Sequence, residues 1–164
     1  MTEKTTDGAR SETPATSDQW AARLLQTRWI VRAPIPLFRA GLGWLFGGRF
    51  VMVEHIGRKS GEPRYVVLEV IERETNALRV ASGHGPRAQW LKNLAANPAA
   101  RLWVGRSKGV PAMARVLPEV DAAAALARYA RVHPDAWDHL KGAMDELNGG
   151  EAIIPVVEFT PPSR

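Results

Sequence analysis

From Phe50 onward, apolar and polar positions alternate with a period of two, which predicts strands at about 50–56, 64–73 and 77–82. Their connections are the turn GRKSGEP, residues 57–63, and Glu74-Thr75-Asn76. The period then lengthens: AQWLKNLAA, residues 88–96, predicts a helix closed by Asn97-Pro98. Two more strands are expected at about 100–105 and 110–117, joined through Gly105 to Gly109. Pro118 suits the first turn of a helix, and the Ala-rich run DAAAALARYARV has high helix propensity. A further helix is expected over about 135–147, ended by Asn148-Gly149-Gly150, and IIPVVEF at 153–159 predicts a closing strand.

The segment before Phe50 reads differently. Residues 1–19 contain little that can be buried and are expected to form a disordered tail. Thr16 to Gln19 fits a capping box, after which Trp20, Leu24, Leu25 and Trp29 keep helical spacing until Pro34 and Pro36. Leu37, Phe38, Leu42, Leu45 and Phe46 form a second short apolar face, interrupted by Gly41 and Gly43. Residues 20–164 are expected to form one domain, with helices across 20–46. Three strands in succession, then a hairpin, then a lone strand do not alternate as a parallel fold requires. The expected architecture is α+β: a small antiparallel split β-barrel of about six strands with helices packed outside.

Composition narrows the setting. The chain has 164 residues, 45% of them hydrophobic, which suffices for a single buried core. It has no cysteine, which removes disulfides, thiolate metal ligands and cysteine nucleophiles. No apolar run approaches the roughly 20 residues needed to cross a bilayer, and no apolar leader region is visible. A cytoplasmic location is the expectation, with peripheral membrane contact through residues 20–46 as a variant, because their apolar faces are bordered by arginines. Glycines and prolines interrupt those faces and limit insertion.

Charge is unevenly placed. The formal net charge is +5, yet residues 20–64 carry eight basic side chains against only Glu54 and Glu62. That excess favours an anionic partner such as a phosphate or carboxylate. An electrostatic nucleic-acid binder is the weakest of these readings, since basic and aromatic residues are not interleaved; no nucleic-acid partner is expected.

Several chemistries can be set aside. The four histidines form no HExxH motif, and no Walker loop is present, so no metal site is expected. Gly83-His84-Gly85-Pro86-Arg87-Ala88 fits G-x-G-x-x-A, but no acidic residue follows at the spacing of a dinucleotide fingerprint. Such a loop can still bind an anion at a helix start. The turn 57–64 places Arg58, Lys59, Ser60 and Arg64 on one glycine-bounded connection. By composition alone it is either an anion clamp or a solvated basic hairpin. Trp90 spaced with Leu94 reads as core or as a cofactor contact, and Asn93 as a ligand or as a local cap.

GRKSGEPRYVVLEV followed by VASGHGPRAQWLKNLAANPAARLWVG resembles the nitroreductase-family deazaflavin-dependent oxidoreductases. The resemblance covers about residues 37–161 and continues through Tyr129 and His133-Pro134 to IIPVVEFTP. It implies a split β-barrel that binds coenzyme F420, with Arg58, Lys59, Ser60 and Arg64 on the phosphate and polyglutamate tail. Tyr65, Val66, Val67 and Leu68 would run beside the ring, where many members have Pro-Leu in place of Val67-Leu68. Ser82, Gly83, Gln89, Trp90 and Asn93 would complete the cofactor site. The acceptor pocket would be formed by Tyr129, His133 and Trp137, which share one face if a single helix continues past Pro134. The implied activity is hydride transfer from reduced F420 to an electron-poor acceptor: an enone, quinone or nitro compound. Ser82, Tyr65 and His133 are the candidate proton donors, in competition with water.

The alternative is a non-catalytic split barrel that holds flavin, haem or tetrapyrrole, or sequesters F420. The visible spectrum of the purified protein separates these, because haem and flavin show bands that a deazaflavin lacks. The small-molecule acceptor is the expected partner, and the chain is expected to be a monomer or a homodimer.

Overall fold

The computed structural model describes residues 34–148 and 153–162. The expected tail at 1–19 and the first expected helix at 20–32 lie outside the described residues. Six strands are present: β1 (Phe50–Ile56), β2 (Pro63–Arg73), β3 (Leu78–Ala81), β4 (Ala99–Val104), β5 (Ser107–Val116) and β6 (Val156–Thr160). They close into a barrel in the order β1-β2-β3-β6-β5-β4, and every pairing is antiparallel. The helices are α1 (Pro34–Arg39), α2 (Gln89–Ala96), α3 (Glu119–Val132) and α4 (Pro134–Asn148).

Alternation decides what fills the barrel. Val51 and Val53 of β1, Val66, Leu68 and Val70 of β2, Leu102 of β4, and Val157 and Phe159 of β6 share one core. Trp90, Leu91 and Leu94 of α2 join the same cluster, so one face of this helix packs onto the barrel interior. The second core lies outside the barrel wall. Ala122, Ala125, Leu126 and Tyr129 of α3 cover Ile71 and Val156, with Ala81 and Trp137 packed alongside. Phe38 of α1 is 1% exposed and stacks on Phe46 at 5.2 Å. Met52, on the outer face of β1, is likewise fully buried.

Four details depart from the expected elements. Pro34 and Pro36 begin α1 instead of only ending what precedes it, because a first helical turn has no N–H bond for proline to lose. The β4–β5 connection tightens to Gly105-Arg106, and Gly109, expected in the loop, lies within β5 at φ +60. The positive φ favours glycine there, and a Cβ would also crowd the Trp103 ring at 3.2 Å. The closing strand starts at Val156, not Ile153, since Pro155 has no N–H for the ladder. Finally, Tyr129 and Trp137 do not share a continuous helix: α3 ends at His133 (φ −133, ψ 64), and α4 restarts at Pro134.

Candidate functional site

The 57–63 turn is built by its glycines. Gly57 donates its N–H to the Glu62 carbonyl, and Gly61, at φ +68, donates to the Gly57 carbonyl. A Cβ on Gly57 would sit 2.7 Å from Ser60 Oγ, so a larger residue would displace the hydroxyl. Ser60 Oγ accepts from the Glu62 N–H (3.3 Å) and from Arg64 Nη2 (3.4 Å). The guanidinium of Arg64 also reaches the exposed Glu62 carboxylate at 3.3 Å. Lys59 is exposed and makes no hydrogen bond or ion pair with any described residue.

Helix α2 holds this turn in place. Gln89 and Asn93 are four residues apart and therefore neighbours on one side of the helix, adjoining the Leu91 and Leu94 that pack onto the barrel. Arg58 Nη2 donates to Gln89 Oε1 at 3.0 Å, and Arg58 Nη1 donates to Asn93 Oδ1 at 2.8 Å. The Arg58 backbone N–H reaches the same oxygen at 3.2 Å. Sequence reading had placed Arg58, Gln89 and Asn93 in one site, and the structure brings them into direct contact. The contact uses two of the five N–H donors of the Arg58 guanidinium, and Arg58, Lys59 and Arg64 are all exposed. Trp90 lies in the barrel core at 8% exposure.

A residue that sequence reasoning missed sits beneath this contact. His55 is buried at the end of the inward row of β1, and its Nδ1 lies 3.3 Å from Asn93 Nδ2. Burial, together with the nearby Arg64 charge, lowers its pKa to about 4, against a hydrogen bond with the Ile56 backbone. Its inward place in the alternating VMVEHI run was the available signal.

Farther along β2, a second polar site opens. A cavity of about 390 Å³ is lined by Gly47, Gly48, Arg49, Glu69, Val70, Arg73, Tyr129 and His133. Tyr129 Oη donates to Glu69 Oε1 at 2.7 Å, and Arg49 Nε donates to the same oxygen at 3.0 Å. Burial and the Glu69 carboxylate push the Tyr129 phenol up to about 12, so it stays protonated. His133 is exposed at the rim, with its ring 5.3 Å from that of Tyr129. Glu69 and Arg49 were not among the expected site residues; a lone carboxylate within YVVLEVI was the signal for the first.

The remaining expected residues are distributed as follows. Val66 and Leu68 point into the barrel core, so any contact they make with a ligand outside must use backbone atoms. Val67 lies on the outer face opposite Met52. Tyr65 stacks edge-on against Trp103 at 6.3 Å beneath the Arg39 guanidinium, and hydrogen bonding to Glu54 raises its pKa. Ser82 is fully buried; its Oγ donates to the Gly85 carbonyl at 2.8 Å, and its N–H to the Pro155 carbonyl at 2.9 Å. Gly83 follows it, half-buried, at the start of the link to α2. Trp137 packs against the second core. The three candidate proton donors, Ser82, Tyr65 and His133, thus have no partner in common, and only His133 lines the cavity. Among the described residues no group of three or more His, Asp or Glu side chains is placed to hold a metal ion.

A closed antiparallel six-stranded barrel, with a cationic turn pinned to its α2 helix and a polar cavity beside the same strand, defines a split-barrel protein. Three solved structures share the fold. A domain-swapped dimer is 21% identical with a TM-score of 0.53, covering 82% of this chain and 98% of its own. The heme storage protein HutZ from Vibrio cholerae is 13% identical with a TM-score of 0.52, covering 82% and 92%. A pyridoxamine 5'-phosphate oxidase-related, FMN binding protein from Nostoc punctiforme is 14% identical with a TM-score of 0.51, covering 82% and 81%. No curated protein matches the chain. The model of the F420H(2)-dependent quinone reductases matches residues 37–147, and the chain belongs to that family. It is an oxidoreductase whose cofactor is coenzyme F420, and the family name corrects the broader nitroreductase assignment.

Proposed function

We propose that this chain reduces a quinone-type acceptor with F420H2, holding the cofactor's phosphate tail at residues 57–64 and the acceptor at the Tyr129–His133 cavity. The observation that carries the reading is the attachment of Arg58 to Gln89 and Asn93, which fixes the turn so that Lys59, Ser60 and Arg64 face outward together. Two cations and a hydroxyl on one rigid turn suit a phosphodiester followed by carboxylates. Arg64 and Glu69 are five residues apart on β2, about 17 Å at the usual strand rise. The odd spacing puts the two side chains on opposite faces of the strand. An elongated cofactor that engages both therefore passes around the barrel rim, with its anionic tail at one end and its ring at the other.

When bound, F420H2 supplies a hydride. The side chains at the cavity then have the task of holding the acceptor and neutralising the charge it gains. Tyr129 is a neutral donor whose own proton is shared with Glu69, and His133 can donate a hydrogen bond to a quinone oxygen as negative charge develops there. Arg49 and Arg73 make the cavity favourable for an oxyanion. Enones and nitro compounds offer similar oxygen acceptors and are the runners-up as substrates.

The test is turnover of F420H2 with a short-chain benzoquinone, a cyclic enone and a nitroarene, followed by the return of oxidised-deazaflavin absorbance. Quinone reduction is expected to be fastest. Absence of turnover with all three would refute the proposed activity, and a preference for the nitroarene would refute the acceptor class.

A further inference from the structure

Asn93 has one amide, and its two ends are committed in opposite directions. Its Oδ1 accepts two hydrogen bonds, from the Arg58 backbone N–H and from Arg58 Nη1. Both donors, a backbone N–H and a guanidinium N–H, cannot accept, so the oxygen must face Arg58. Nδ2 therefore faces inward and donates, and the group it meets is His55 Nδ1 at 3.3 Å. This assigns the histidine's state: Nδ1 is an acceptor, and the ring is neutral with its proton on Nε2.

We propose that His55 is a positioning residue for the cofactor clamp, holding the Asn93 amide in the one orientation that lets its oxygen anchor Arg58. The inference rests on the reading of residues 57–64 as the phosphate site, and concerns a residue that never touches the cofactor itself. The groups around His55 agree with it. From α2 it meets Asn93; from β2 its register partner is Arg64; beyond Asn93 lies Arg58. Burial and the Arg64 charge favour the neutral ring, against a hydrogen bond with the Ile56 backbone. A protonated ring would present an N–H to the Asn93 NH2, donor against donor, and the amide would turn its oxygen away from Arg58.

The experiment compares coenzyme F420 with the deazaflavin riboside that lacks phosphate and tail, measuring both affinities by fluorescence alongside the thermal midpoint. The variants are His55→Asn, which retains an acceptor near the Nδ1 position, and His55→Leu, which does not. His55→Met provides a second apolar substitution, flexible enough to fill the space if the leucine variant does not fold. For folded His55→Leu or His55→Met, F420 affinity is expected to fall about tenfold, the loss of one charge-assisted contact. Riboside affinity should hold, and His55→Asn should restore most of the F420 affinity. An unchanged F420-to-riboside ratio, or a parallel loss of both affinities, would overturn the positioning role. Equal binding of F420 and riboside by the unmodified protein would instead overturn the clamp reading on which it rests.

Discussion

The Arg58 guanidinium and the Asn93 amide oxygen meet at 2.8 Å across 35 residues of sequence, and the Arg58 backbone N–H shares that oxygen. This joins the basic turn to α2 and makes the turn's geometry a property of the barrel. Asn93→Leu leaves a partly buried N–H without a partner, at a cost of about 1–3 kcal/mol. The variant should melt several degrees lower and bind F420 about tenfold more weakly. A normal melting point with normal affinity would show that the link is dispensable.

Lys59 and Arg64 are the exposed cations that flank Ser60 beside the anchored Arg58. Each charge-assisted hydrogen bond to a phosphate contributes about 1.5–3 kcal/mol, so Lys59→Ala/Arg64→Ala should weaken F420 binding at least about a hundredfold. Both side chains are exposed, and the fold should survive. Titration of the double variant by fluorescence checks this, with retained affinity placing the tail elsewhere.

At the acceptor cavity, neighbouring residues should respond differently. His133 is exposed at the rim, so His133→Ala is expected to lower turnover with little effect on F420 affinity or thermal midpoint. Trp137 packs against the second core, so Trp137→Ala is expected to lower the thermal midpoint and leave activity per folded molecule unchanged. Glu69→Gln should disturb both Arg49 and Tyr129, raising the acceptor KM. Steady-state kinetics beside calorimetry distinguishes the three patterns.

Acid should destabilise the protein in two windows. His55 has a folded pKa of about 4 against 6.5 when unfolded, so between those values the unfolded chain binds the extra proton. Stability therefore falls as pH drops from about 6.5 to about 4, and this portion should vanish in His55→Asn. Glu158 is held below its ordinary value of 4.5 by Arg115 and Arg79, and Glu72 likewise by Arg128 and Arg79. Their stabilisation is complete above 4.5 and lost below it, as the folded carboxylates take up protons. Glu158→Gln should reduce the loss in that lower window. A melting profile flat across pH 4–7 would contradict the His55 assignment.

Trp44 and Leu45 are 50% and 56% exposed, next to Leu37, Leu42 and Arg39. No helix among the described residues is long and apolar enough to cross a membrane. Cosedimentation with anionic liposomes is expected to be weak and abolished by salt. Salt-resistant binding would assign these residues an inserted role.

The strands were legible because alternation with a period of two is imposed by the pleat itself: VMVEHI and YVVLEVI carry it, and β1 and β2 fall within a residue of expectation. The basic turn was legible for a related reason, since Gly57 and Gly61 bound it and its charges are contiguous in sequence. What sequence could not decide was how charges and polar groups would be spent. Whether Arg58 faces a ligand or an amide depends on where α2 packs, and that is set by Trp90, Leu91 and Leu94 joining the barrel core. The buried partnership of His55 with Asn93, the Glu69–Tyr129 contact across 60 residues, and the break at His133 that separates Tyr129 from Trp137 arise only when distant segments pack. Local periodicity specifies which face of an element is apolar; only closure of the barrel determines which polar side chains meet, because those contacts depend on strand register and helix placement.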